Sequence, residues 1–156
     1  MKLMSLKLKL KNKFIPVNTP KIFSQEKKYV NQALSSGWIS SEGPFVKKFE
    51  ENFSKFNKRK FGVAVSSGTA ALEIVIKSLN LKKGDEVIIP TFTIISSAMC
   101  LIKQGLKPVL VDSDIDTWNM SVEQTIKKIN KKTKAIIITH IYGFPVDMQK
   151  IINIAN

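Results

Sequence analysis

The segment FGVAVSSGTAAL, residues 61–72, runs from a short apolar stretch through a turn of small residues into a helical pattern. The same succession recurs at EVIIP (86–90), KPVLVD (107–112) and KAIIITH (134–140), each followed by a segment with helical periodicity. Short strands that are apolar on both faces and alternate with helices are typical of a parallel sheet covered on both sides. The sequence therefore predicts an α/β fold: a largely parallel sheet of four strands, beginning with 61–65, and helices on both faces.

A helix is predicted after each of these strands. In chain order they are a helix from near Thr69, Ser96–Gln104, Val122–Ile129 and a helix capped by Asp147. Gly84 and Gly105 stand where helices are expected to end before the next strand.

Two further helices are predicted ahead of the first strand. One covers residues 24–36, with Ser24 as its N-cap and Gly37 ending it. The other opens at Pro44 and carries an apolar stripe that we expect to pack in the core: Phe45, Val46, Phe49, Phe53 and Phe56.

The 156 residues are enough for one domain with a real core. Residues 1–13, MKLMSLKLKLKNK, are predicted to be a basic tail, because they contain neither a continuous apolar stretch nor a cleavage site of small residues. Residues 14–156 are predicted to be one continuous α/β unit. No apolar run reaches the length that crosses a membrane, so we expect a cytoplasmic protein without a membrane partner.

The chain is strongly basic, with 25 Lys and Arg against 12 Asp and Glu and a formal net charge of +13. Nucleic-acid readers rely on arginine, whereas Arg59 is the sole arginine of the chain. We therefore expect a solvated lysine surface and keep a basic nucleic-acid-binding domain as the weakest alternative. The single cysteine, Cys100, excludes an internal disulfide and lies in an apolar helical run, which favours a buried thiol in a reducing compartment.

The turn Ser66–Thr69 is the strongest candidate for chemistry. Ligands of open α/β sheets bind beyond the carboxyl ends of the strands, and a turn of small residues there exposes backbone N–H groups at the positive end of a helix dipole. Gly68 admits a close anion, and Ser67 and Thr69 add hydroxyl donors. The turn lacks the lysine of an ATP-binding loop and the glycines of a dinucleotide fingerprint. It favours a phosphate bound without Mg²⁺, with an ordinary helix cap as the alternative.

Several motifs occur in a characteristic order along the chain: SGWIS, EGP, SSGTAAL, GDEVIIPTFT, KPVLVDSD, DTWNM and HIYGFPVDM. From about residue 15 to Asn156 the chain resembles the DegT/DnrJ/EryC1/StrS family of pyridoxal-phosphate (PLP) sugar aminotransferases. The resemblance implies the N-terminal part of the large domain of the type I aminotransferase fold, and a homodimer with active sites between subunits. It also implies transfer of an amino group from an amino-acid donor, glutamate, to a nucleotide-linked keto-sugar, for amino-sugar or cell-surface polysaccharide biosynthesis.

The resemblance also implies roles for individual residues. Ser67, Gly68 and Thr69 would bind the PLP phosphate. Ile94 stands where the family usually has an aromatic residue stacked on the pyridine ring. The chain departs from the family pattern here, because an aliphatic side chain cannot stack as an aromatic ring does. Phe92 could cover the ring instead, although we expect it in the core.

Four residues are candidates for the substrate side: Trp38, Ser40, His140 and Tyr142. A buried aromatic is the alternative for Trp38, and a structural hydrogen bond is the alternative for His140. We expect Trp118 in the core, and we expect solvated turn residues instead of a metal site at Asp112, Asp114 and Asp116.

PLP transamination needs a lysine that forms a Schiff base with the cofactor and a carboxylate on its pyridine nitrogen. The resemblance places both beyond Asn156, and the lysines present fall on predicted helix surfaces and turns. We therefore expect that this chain alone does not transaminate. The alternative to an enzyme segment is a truncated partner subunit or a remnant without catalysis.

Overall fold

The computed structural model describes Phe14 and residues 16–155, and the predicted tail 1–13 lies outside them. The chain divides into two compact units, an N-terminal unit that ends at Ala64 and a C-terminal unit that begins at Val65. No helix in the described part is long and apolar enough to cross a membrane.

The N-terminal unit contains helices α1, Ser24–Ser36, and α2, Pro44–Phe56. The Glu26 carboxylate accepts a hydrogen bond from the N–H of Phe23 at 2.9 Å, and Phe23 is the capping residue. The predicted cap at Ser24 is therefore wrong by one residue, because Glu26 reaches back one position further than expected. Gly37 ends α1 with φ +74°, and Pro44 opens α2, as predicted.

The apolar stripe of α2 is only partly covered. Tyr29 of α1 packs against Phe45, with ring centroids 5.7 Å apart, and Phe45 and Val46 are half-buried. Phe49, Phe53 and Phe56 are exposed, so the prediction that the whole stripe packs in a core is wrong for these three residues. The reason is that α1 reaches only the first turns of α2, since none of its own residues is buried.

Residues 61–65 form no strand, and this prediction is wrong. No described segment offers them a hydrogen-bonded ladder, and α2 takes part of their backbone instead: the N–H of Ala64 donates to Glu50 Oε1 at 2.7 Å. A Cβ at Gly62 would lie 2.7 Å from the Glu50 carbonyl oxygen, so this close approach requires glycine.

The C-terminal unit alternates helices and strands. Its elements are α3 (Gly68–Ser78), β1 (Glu86–Pro90), α4 (Ser96–Lys103), β2 (Lys107–Val111), α5 (Val122–Lys128), β3 (Thr133–Ile136), a 3₁₀ turn (Ile141–Gly143) and α6 (Met148–Ala155). The sheet has three parallel strands in the order β2-β1-β3, so the predicted parallel α/β architecture is confirmed with one strand fewer. β3 ends earlier than predicted, although Ile137 N–H still donates to the Ile88 carbonyl at 2.8 Å.

β1 is buried along its whole length and separates two apolar clusters. Val87 and Ile89 pack with residues of α3 and α4, and Ile88 packs with Val111 and with residues near α5 and α6. Alternate residues of a strand point to opposite faces, so helices cover both sides of the sheet, as predicted. Cys100 is fully buried in the first cluster, and this burial raises the pKa of its thiol.

Left-handed residues mark the ends of α3 and α4. Gly105, at φ +73°, follows the capping residue Gln104 of α4, as predicted. Gly84 does not end α3, because that helix is capped at Leu79 and Asn80 takes the left-handed conformation at φ +52°. Gly84 instead lies in the turn before β1, where its N–H donates to the Gly105 carbonyl at 2.9 Å.

Candidate functional site

Parallel pairing brings the carboxyl ends of β1, β2 and β3 to one edge of the sheet. The segments that leave this edge are 91–95, 112–121 and 137–147, and each contains candidate residues from the sequence. The turn that leads into α3 belongs to the same unit, and α3 packs against α4 on the sheet.

Ser67–Thr69, which we call the phosphate cradle, forms the start of α3. Ser67 is the capping residue: its Oγ accepts the N–H of Ala70 at 3.2 Å and its carbonyl accepts the N–H of Ala71 at 3.0 Å. Within the described part of the chain, the N–H groups of Gly68 and Thr69 have no acceptor. A Cβ built on Gly68 would meet nothing within 4 Å. Two N–H groups at the positive end of an 11-residue helix are therefore free to donate, beside a glycine without a side chain in the way, an arrangement that suits a phosphate.

Hydroxyl groups join the cradle to the neighbouring segment. Thr69 Oγ1 lies 2.9 Å from Ser96 Oγ at the start of α4. In the next residues, Thr93 Oγ1 lies 3.3 Å from Ser97 Oγ and 3.0 Å from Thr139 Oγ1 beyond β3. Hydroxyl and backbone donors suit a phosphate, and these contacts hold the 91–97 segment beside the cradle.

Ile94 lies in the loop between β1 and α4, with 67% of its surface exposed. The loop begins with a hydrogen bond from Thr91 N–H to the Val111 carbonyl at 2.8 Å. The side chain is not part of the core and is available to a ligand, while its contact with a cofactor ring stays a prediction.

His140 and Tyr142 follow β3 at the same edge of the sheet. His140 Nδ1 accepts the N–H of Val146 at 3.1 Å, which is the structural hydrogen bond that was the alternative for this residue. Tyr142 is 84% exposed and has a left-handed backbone with φ +48°. A role for either residue in substrate binding stays a prediction.

Trp118 is not in the core, which corrects the prediction. It is 62% exposed with φ +60°, because Asp114 Oδ1 accepts the N–H groups of Asp116 and Thr117 and forces a tight turn just before it. The same hydrogen bonds, led by the Thr117 N–H, hold the pKa of Asp114 below its usual value.

Phe92, also predicted in the core, is only partly covered. Its ring centroid is 5.7 Å from that of Trp118 and 6.5 Å from that of Tyr142. Phe92 therefore lies between Trp118 and Tyr142 in an aromatic group at the carboxyl edge of the sheet, outside the two core clusters.

Asn119 is the site residue that the sequence reasoning missed. It is 4% exposed; its Oδ1 accepts the N–H of Ile141 and its Nδ2 donates to the Phe144 carbonyl, both at 3.1 Å. These bonds span the turn that carries Tyr142. The one signal in the sequence is an asparagine between two apolar residues, Trp118 and Met120.

Trp38 and Ser40 lie in the N-terminal unit, in the loop between α1 and α2. Trp38 is exposed, so the buried alternative for this residue is wrong: its side chain lies over Gly43 at the loop end and is covered on one side only. Ser40 Oγ donates to the Glu42 carbonyl at 3.4 Å. Their role toward a substrate stays a prediction.

Every lysine in the described residues is exposed, so none lies in the apolar surroundings that activate a lysine amine as a nucleophile. The pKa of Lys103 is raised, because Glu73 Oε1 lies 2.6 Å from its Nζ. Asp112 and Asp116 are exposed turn residues, and no group of three or more potential metal ligands is found among the described residues.

Comparison with known proteins agrees with this geometry. Residues 20–156 match the model of the DegT/DnrJ/EryC1/StrS aminotransferase family. GDP-perosamine synthase of Escherichia coli O157:H7 is 46% identical over 143 residues, which cover 92% of this chain and 39% of that protein. GDP-perosamine synthase of Vibrio cholerae is 42% identical over 137 residues, covering 88% and 37%. The chain thus spans about two fifths of the length of these curated relatives.

Solved structures lead to the same family. The PLP form of a protein of Streptococcus pneumoniae assigned as a sugar aminotransferase superposes with a TM-score of 0.81 at 34% identity, covering 90% of this chain and 36% of that one. The E. coli GDP-4-keto-6-deoxy-D-mannose-3-dehydratase with bound hydrated PLP gives a TM-score of 0.81 at 32% identity, covering 89% and 37%. The chain belongs to the DegT/DnrJ/EryC1/StrS aminotransferase family.

Proposed function

We propose that this chain forms the N-terminal part of a PLP-dependent aminotransferase that moves an amino group from an amino-acid donor to a nucleotide-linked keto-sugar. The observation that carries the proposal is the phosphate cradle, with two N–H groups lacking acceptors in the described part of the chain and open space at Gly68. Family membership supplies the reaction class. The names of the relatives supply the substrate class, a sugar carried on a nucleotide.

In this proposal the cradle binds and orients the cofactor phosphate. The N–H groups of Gly68 and Thr69 donate to its oxygens, and the hydroxyls of Ser67 and Thr69 are within the same turn. Thr69 keeps its hydroxyl in place through Ser96, so little side-chain freedom is lost when the anion binds. PLP, when bound, supplies the electron-withdrawing ring that amino transfer requires.

Ile94 is proposed to lie against one face of that ring. An aliphatic side chain covers a ring by dispersion and excludes water, although it lacks the aromatic face usual at this position. Thr93, the residue before Ile94, is held by hydroxyl contacts with Ser97 and Thr139. These contacts restrict where the loop can place Ile94.

The amine and the carboxylate that complete the site are proposed to lie in the part of the relatives' length that this chain does not span. The described lysines are exposed and none lies in an apolar pocket, which makes them poor candidates for the Schiff-base amine. On this account the chain alone does not transaminate. Trp38, Ser40, His140 and Tyr142 are proposed to face the substrate in a cytoplasmic homodimer that serves amino-sugar biosynthesis.

A chimera tests the proposal. This chain replaces the matching N-terminal two fifths of the E. coli O157:H7 GDP-perosamine synthase, to which it is 46% identical. We expect the chimera to bind PLP and to form GDP-perosamine with glutamate as donor. A chimera that folds and keeps the quaternary structure of the parent but binds no PLP would contradict the proposal.

A further inference from the structure

Four aromatic side chains surround an open depression at the carboxyl edge of the sheet. We call it the aromatic groove; its volume is about 470 Å³ and its lining residues are Phe92, Thr117, Trp118, Ile141, Tyr142 and Phe144. Of these residues only Tyr142 has a role in the proposed function, and the groove as a whole has none.

The rings of the groove meet at steep angles and leave their faces open. Phe92 meets Trp118 at 59° and Tyr142 at 61°, which are favourable tilted and edge-to-face arrangements. Trp118 and Tyr142 remain largely exposed, so each can stack on a further planar group.

The backbone under this groove is strained and held in place. Trp118 and Tyr142 both have positive φ, which is costly for bulky residues and persists only where the surroundings determine it. Asn119, next to Trp118, bonds to the N–H of Ile141 and the carbonyl of Phe144 on either side of Tyr142. One buried amide therefore sets the positions of both exposed rings. Strain retained in this way indicates a functional constraint.

The chemistry of the lining residues selects the kind of ligand. None of the six is charged, and of the two side-chain hydroxyls that of Thr117 already donates to Asp114 Oδ1 at 2.9 Å, which leaves the phenol of Tyr142. Such a groove offers a ligand mainly ring faces and few hydrogen-bonding groups, which suits a nucleobase better than a sugar ring rich in hydroxyls.

The groove is also connected to the phosphate cradle. Phe92 precedes Thr93, which bonds to Ser97, and the adjacent Ser96 bonds to Thr69. A base held in the groove and a cofactor phosphate held in the cradle would thus lie along one edge of the C-terminal unit.

We propose that the aromatic groove stacks the base of the nucleotide-sugar substrate, with Trp118 and Tyr142 as the stacking rings and Asn119 as the positioning residue. This rests on the proposed function for the nature of the substrate. Because stacking reads ring faces, bases of different identity bind alike.

The test follows tryptophan fluorescence of the full chain, whose two tryptophans are Trp38 and Trp118, and the difference between the parent and Trp118→Phe isolates the signal of Trp118. GDP and dTDP quench Trp118 with similar affinities, whereas ribose 5-phosphate and inorganic phosphate do not. Tyr142→Ala weakens GDP binding about tenfold, the effect of losing one stacking ring. Tyr142→Phe retains the ring and changes affinity less than twofold. Ile115→Ala, an exposed residue of the same loop, is the matched control.

Asn119→Ala separates positioning from simple loss of a ring. It weakens GDP binding while circular dichroism stays that of the parent, and Asn119→Asp, which keeps the acceptor for Ile141, restores part of the affinity. Equal binding by Asn119→Ala and the parent would overturn the positioning role.

Quenching by ribose 5-phosphate as strong as by GDP, unchanged GDP affinity in Tyr142→Ala, or saturable quenching by tetramethylammonium without quenching by GDP would each overturn the groove assignment. These outcomes are independent of the proposed function, whose test is product formation by the chimera. A chimera without amino transfer, combined with quenching of Trp118 by GDP and dTDP but not by ribose 5-phosphate, would reject the proposed function and retain the groove assignment.

Discussion

Replacing Asn119 with alanine removes two hydrogen bonds from a buried position, and the cost can be worked out from its contacts. Its Oδ1 serves the half-buried Ile141 N–H and its Nδ2 serves the carbonyl of exposed Phe144. The carbonyl can regain water, whereas the N–H is left without a partner in a partly buried place. A net bond of about 1 kcal/mol together with an orphaned donor costing about 1–2 kcal/mol predicts a loss of roughly 2–3 kcal/mol in the free energy of unfolding.

Urea denaturation followed by far-UV circular dichroism measures this loss as a lower midpoint with an unchanged slope, with parent and variant at the same protein concentration because the chain is expected to associate. The control is Asn153→Ala, an exposed asparagine on α6 that accepts a bond from Gln149. It should change stability by less than about 0.5 kcal/mol, as surface substitutions usually do. A loss for Asn119→Ala no larger than that of the control would refute the reasoning.

Three further predictions concern the exposed position 94, the Glu86 carboxylate and the association of the chain alone. In the chimera, Ile94→Tyr should fold and bind PLP at least as tightly as the parent, because position 94 is exposed and gains an aromatic face. Absorbance titration with PLP measures this. Weaker binding would show that this residue does not cover the cofactor ring. The pKa of Glu86 is held below its ordinary value near 4.5, first by the Asn130 amide at 2.8 Å and also by Lys107 at 3.5 Å. Because the pKa of Glu86 is lower in the folded than in the unfolded state, its carboxylate stabilises the fold above the unfolded pKa, and this stability is lost as the pH falls through the folded pKa. The urea midpoint should therefore drop more steeply below pH 4.5 in the parent than in Glu86→Gln. Equal slopes of midpoint against pH would contradict this. Finally, the chain alone should sediment as oligomers or larger species, because apolar side chains such as Phe53 and Phe56 are exposed, and a stable monomer would argue against this. It should also form no covalent PLP adduct and show no transaminase activity, because every described lysine is exposed, and a borohydride-trapped lysine would argue against that.

The C-terminal unit was predictable from the sequence because its pattern is strong. EVIIP is buried at every residue, and a strand with no polar face can only lie inside a sheet covered on both sides. The same pattern failed at residues 61–65. Apolar character reports a preference for burial, whereas a strand also requires a neighbour, and no described segment pairs with this one.

The candidate site was predictable in part for a related reason. A glycine and small hydroxyl residues before a helix are visible in the sequence, and they form the open start of α3. Trp118 was misplaced because its hydrophobicity suggests burial, while the Asp114 turn sets its backbone and directs the ring outward. Asn119 was missed because its partners lie 22 and 25 residues away and only folding brings them together.

The phosphate cradle is tested most directly by comparing PLP with pyridoxal, which lacks the phosphate. In the chimera, Thr69→Val should weaken PLP binding by about 1–2 kcal/mol, because one hydrogen bond to a charged group is lost. The affinity for pyridoxal should stay unchanged, and the control Ser78→Ala, on the exposed end of α3, should alter neither. Equal losses for PLP and pyridoxal, or unchanged PLP affinity in Thr69→Val, would contradict the claim that this turn holds the cofactor phosphate.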